Sequence, residues 1–104
     1  MAIKTKNVHG NLMNPSGNDV LAEIMVEVSL IIPKNPTEKP SYAVTATTEN
    51  YRPDLSNKSL KLELDNKIAG EVYVTIEGLP SDKTNFKIFL QDNIWNNVDW
   101  FNSL

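Results

Sequence analysis

Apolar residues recur at every second position from Val20 to Ile32. Val20, Ala22, Ile24, Val26, Val28, Leu30 and Ile32 share one side, and Leu21, Glu23, Met25, Glu27, Ser29 and Ile31 share the other. A period of two marks a strand with one face on a core. A helix is excluded, because it would wrap β-branched residues around the whole cylinder and leave no polar face. At about 3.3 Å per residue this strand reaches roughly 40 Å, so it is expected to bend, bulge or project past the body of a small domain. The same period precedes it in Val8, Gly10 and Leu12, and the intervening Asn14–Asp19 has the Pro, Gly and Asn/Asp of a tight turn. The pair is expected to form a hairpin.

Three prolines within residues 33–40 exclude a ladder strand there, since proline lacks the backbone donor. A third strand is expected from Ser41, with Tyr42, Val44 and Ala46 on one side, followed by a polar loop over residues 50–59. The stretch from Leu60 to Asp65 alternates cleanly. Asp65, Asn66 and Lys67 then form the expected tip of a hairpin whose second strand carries Ile68, Gly70, Val72, Val74 and Ile76 on one face. A turn over residues 79–85 leads to a short strand with Phe86, Ile88 and Leu90 inward. Residues 91–104 are ambiguous: Ile94, Trp95, Val98, Phe101 and Leu104 fit a helical stripe, yet the run contains four Asn, a poor helix former. A last strand or an irregular tail fits equally well. The expected architecture is all-β, an antiparallel β-sandwich of six or seven strands, Ig-like or transthyretin-like. Residues 1–90 form its single domain, and residues 91–104 a C-terminal aromatic segment.

The 104-residue length suits one core. A net charge of −3, with basic residues scattered singly, argues against nucleic acid as a partner. With no cysteine there is no disulfide, thiolate nucleophile or zinc–thiolate site. Glu23 and Glu27 interrupt the longest apolar run and the N-terminus has no apolar core, so neither a membrane span nor a signal peptide is expected. If Met1 is the true start, the chain stays in the cytoplasm or leaves without a signal peptide.

Candidate chemistry is thin. His9 is the single histidine, so a nucleophile–base pair or a histidine metal cluster cannot be assembled, and a surface role is expected. Glu23 and Glu27 lie roughly 13 Å apart on a strand, too far for paired-carboxylate glycoside chemistry, and read as a soluble outer face. Asn14, Asn18 and Asp19 offer one carboxylate where calcium wants several. Gly10, Gly17, Gly70 and Gly78 are too isolated for a phosphate loop. The glycosylation triplet at Asn57 is near chance in an Asn-rich chain. No catalytic residue, metal or cofactor is expected. Trp95, Trp100 and Phe101 cluster near the C-terminus and are the candidate partner-binding residues, with core filling as the competing role.

The pattern Val8-x-Gly10-x-Leu12-x-x-Pro15-x-Gly17-x-x-Val20 resembles the opening of transthyretin-like or carboxypeptidase-regulatory-like β-sandwich modules. In particular it is similar to the small modules that begin many bacteriophage tail-fibre proteins. The likeness spans roughly the first 25 residues, with Asn14 in place of the usual Asp and Asp19 in place of the second Pro. A second stretch, with Leu79, Thr84 and Phe86, resembles the E-to-F corner of fibronectin type III modules, Phe86 lacking the tyrosine hydroxyl. The first likeness implies a non-enzymatic bacteriophage virion protein of a tail fibre, baseplate or capsid decoration, assembled in the host cytoplasm. Its partners would be other virion proteins or copies of itself as a homo-trimer, contacting through the Val20–Ile32 strand and the aromatic tail. The competing expectation is a carbohydrate- or protein-binding module using Trp95, Trp100 and Tyr51.

Overall fold

The computed structural model describes residues 2–49, 52–65, 69–77, 83–96 and 99–104. Six strands follow in chain order: β1 (Ala2–Met13), β2 (Val20–Ile32), β3 (Ser41–Thr48), β4 (Lys58–Leu64), β5 (Ala69–Glu77) and β6 (Thr84–Leu90). A 3-10 turn at Pro53–Leu55 separates β3 from β4, and the tail holds a second one at Asn93–Asn96 and a single helical turn, α1 (Asp99–Asn102). Ile68, Asn66, Lys67, Gly78, Leu79, Tyr51 and Val98, singled out in the sequence, lie outside the described residues.

All pairings are antiparallel, in the order β1-β2-β3-β6-β5-β4, and the sheet closes through β4 and β1. The all-β antiparallel expectation holds, but the sandwich is corrected. Two meanders, β1-β2-β3 and β4-β5-β6, are hydrogen-bonded to each other along both sides, by Gly10–Met13 against Lys61–Leu64 and by Val44–Thr48 against Thr84–Ile88. Strand alternation specifies which face is buried but not whether two meanders stack or join edges, and closure satisfies the backbone groups that stacked sheets leave open.

Closure at Gly10 demands a glycine. A Cβ there would sit 2.7 Å from the Glu63 carbonyl, so no larger residue lets β1 come this close to β4. The inward residues form one core that includes Leu12, Ile24, Val26, Leu62, Val72, Val74 and Phe86. Along β2 the buried face runs from Ala22 to Leu30, whereas Val20 is exposed at the turn.

The long strand projects, as its length requires. β1 starts at Ala2, six residues before the expected start, and pairs with β2 along its whole length. It meets β4 only from Gly10 onward. The β1–β2 ribbon therefore runs past the end of the β4–β5 hairpin, and the C-terminal segment fills the mouth this leaves. Trp95 donates its indole N–H to the Glu71 carbonyl at 3.1 Å, Trp100 donates to the Trp95 carbonyl at 3.2 Å, and Lys6 Nζ donates to the Phe101 carbonyl at 3.1 Å. The Trp100 ring packs 4.7 Å from Tyr42 and 5.0 Å from Trp95. The two short helical turns, Asn93–Asn96 and Asp99–Asn102, are held by backbone carbonyls and rings at the barrel end.

Candidate assembly surface

The open side of β1 follows from the closure. On the side facing β4, the His9 carbonyl accepts the Asp65 N–H at 3.1 Å. In an antiparallel ladder alternate residues aim their N–H and C=O to the same side, so Ile3, Thr5 and Asn7 point theirs away from β2. No strand among the described residues pairs with them there. Ala2 through Thr5 are exposed, so this edge meets solvent.

Its side chains divide by face. Outward, Ile3 is 59% exposed and lies opposite Ile31, and the Thr5 hydroxyl lies 3.1 Å from that of Ser29. On the other face stand Lys4 and Lys6. Lys6 is held by the tail, its ammonium 4.9 Å from the Phe101 ring centroid. Lys4 has no ion-pair partner among the described residues. Lysines along an exposed edge are a common guard against indiscriminate strand pairing.

The candidate rings are placed elsewhere. Trp95, Trp100 and Phe101 are only 2%, 6% and 1% exposed and belong to the core cluster. They plug the barrel in this structure and present no platform to a sugar or a protein. The Val20–Ile32 strand is also not an edge over Met25–Ile31, where β1 and β3 flank it on both sides.

At the opposite end β2 and β3 part beyond Met25, opening a groove of about 470 Å³ lined by His9, Glu23, Met25, Thr47, Glu49 and Arg52 among others. Arg52 braces this end. Its backbone N–H donates to the buried Thr84 hydroxyl at 2.7 Å, its guanidinium donates to the Leu21 carbonyl, and the same guanidinium grips Asp54 at 3.0 and 3.1 Å. The hydrogen bond to Arg52 is the largest influence holding the Asp54 carboxyl below its usual range. A second opening of about 600 Å³ lies where β3 and β6 part near Tyr42, Lys87 and Phe89.

None of these places assembles a reactive set. His9 Nδ1 lies 3.0 Å from Asp65 Oδ1, an exposed pair with no nucleophile bonded to the ring among the described residues. The Asn14 side-chain carbonyl is used by the Asn18 and Asp19 N–H groups at 2.9 and 3.2 Å, so the turn itself consumes the oxygen that a cation would need. Glu23 and Glu27 are exposed on β2. Among the described residues there is no group of three or more metal-ligating side chains and no buried polar side-chain atom lacking a partner.

No family model, curated protein or solved structure matches the chain. The surface that sequence reasoning missed is the stretch from Ala2 to Asn7. Its signal was the alternation Ile3-Lys4-Thr5-Lys6-Asn7, masked because the inward positions carry lysine rather than an apolar residue.

Proposed function

We propose that the chain is a non-enzymatic structural module of a bacteriophage virion, in a tail fibre, baseplate or capsid decoration, that works through protein–protein assembly. The observation carrying this reading is the open edge of β1: three alternate residues, Ile3, Thr5 and Asn7, turn their backbone groups away from β2 and meet no partner strand among the described residues, a form suited to docking another strand. The resemblance of the Val8–Val20 hairpin to tail-fibre modules supplies the virion context. Partners in this reading are other virion proteins or copies of the chain, with a trimer as the form of self-association, and the module joins its particle in the host cytoplasm.

Incorporation tests the reading. A tagged copy expressed in an infected host that carries this sequence should appear in purified particles by mass spectrometry at stoichiometric levels. A copy abundant in the lysate yet missing from washed particles would sink it.

A further inference from the structure

We propose that the β1 edge takes up an extended strand of a different protein, paired antiparallel along Ala2–Val8, with an acidic residue opposite Lys4 and an apolar one opposite Ile3. The inference rests on the assembly reading and narrows its partner. The hydrogen-bonding groups come from Ile3, Thr5 and Asn7, whose N–H and C=O face away from β2. An extended backbone satisfies such a row, each neutral bond adding a modest net gain.

A second copy fits poorly. A symmetric antiparallel pairing that keeps the sheet faces aligned pivots on one residue. Pivoting on Thr5 sets Lys4 against Lys6, pivoting on Lys4 sets Lys4 against itself, and pivoting on Lys6 does the same for Lys6, while pivoting on Ile3 or Asn7 avoids like charges but sets only one of the three outward residues against its own row. Like charges directly opposite are destabilising. A head-to-tail ring through strand edges would need a second open edge of similar length, and those among the described residues are shorter: β2 lacks a β3 partner over Val20–Ile24, where Arg52 already holds the Leu21 carbonyl, and β3 lacks a β6 partner only over Ser41–Ala43. Lys4, exposed and without an ion pair among the described residues, instead favours a carboxylate across the new ladder. Ile3, beside Ile31 on the outer face, favours an apolar neighbour.

The probe is a labelled synthetic heptapeptide, Val-Thr-Thr-Thr-Glu-Val-Thr, whose Glu faces Lys4 and whose following Val faces Ile3. Its control carries Lys in place of Glu. Anisotropy titration against the full chain should show the Glu peptide binding several-fold to about tenfold more tightly than the control, in line with one favourable pair replacing one unfavourable pair. Amide exchange at Ile3, Thr5 and Asn7 should slow on binding. Thr5→Pro should abolish binding, since it deletes an outward N–H without touching the β1–β2 ladder, whereas Thr5→Val should retain it. Lys4→Glu gives a readout independent of proline tolerance: the preference between the two peptides should invert. Equal binding of the two peptides, or protection elsewhere than Ile3, Thr5 and Asn7, overturns the inference. A trimer whose own contacts protect those three amides would also overturn it while leaving the assembly reading standing.

Discussion

Gly70 shows how a single position can hold the tail. A Cβ there would approach Ile94 Cδ1 to 2.6 Å and the Trp95 ring to 2.9 Å, and the indole cannot retreat freely because its N–H is bonded to the Glu71 carbonyl. Gly70→Ala is therefore expected to lower stability by about 1–3 kcal/mol, the usual cost of overpacking, read from urea midpoints at constant slope. Trp95→Ala, which empties the same site, should cost about 3–5 kcal/mol. Asp54 supplies a pH test. Its folded-state pKa is depressed, chiefly by the hydrogen bond to Arg52, so its contribution is present above the ordinary Asp value near 3.9 and fades as the pH falls through the lowered one. Water screens this exposed pair, so the effect is small. Melting temperatures of wild type and Asp54→Asn between about pH 2 and 5 should converge toward the acid end. A constant offset would refute the linkage.

At the scale of elements, the aromatic segment is the closing piece of the barrel. The β1–β2 ribbon overshoots the β4–β5 hairpin, and Trp95, Trp100 and Phe101 occupy the opening between them. Removal of residues 91–104 deletes three buried rings, each worth about 3–5 kcal/mol by the usual cost of truncation, against a total stability of about 5–15 kcal/mol for a domain of this size. The 1–90 fragment is expected to lose its cooperative thermal transition, with far-UV and near-UV circular dichroism as the check. A fragment melting within a few degrees of the full chain would show the tail to be dispensable. The two possible roles of these aromatics were both readable from their spacing. Choosing between them required the mouth that the overshooting ribbon leaves, which exists only once β1 has paired with β4 at Gly10 and not before it.

For the whole molecule, closure is a long-range event. The seams that convert two meanders into a barrel join Gly10 to Leu64 and Val44 to Ile88. Pairings so distant in sequence close large loops before any contact repays the entropy, which places folding in the millisecond-to-second range rather than in microseconds. Both tryptophans sit at the plugged end, so stopped-flow fluorescence should report closure directly. A dominant microsecond phase to native emission would contradict this. The outer surface is finished by the same topology, which leaves its longest open edge among the described residues on β1.

Alternation along the chain determined the strands, their inward faces and the turns at Asn14–Asp19 and beyond Ile32, because side-chain direction and turn chemistry are local properties of a few neighbouring residues. It also ruled out thiol chemistry, since the residues themselves are missing. The choice of a barrel over a sandwich, the burial of Trp95, Trp100 and Phe101, and the exposure of the Ala2–Asn7 edge were decided by the tertiary structure. Each depends on which backbone groups remain unpaired after distant strands meet, and that is a property of the closed sheet rather than of any segment within it.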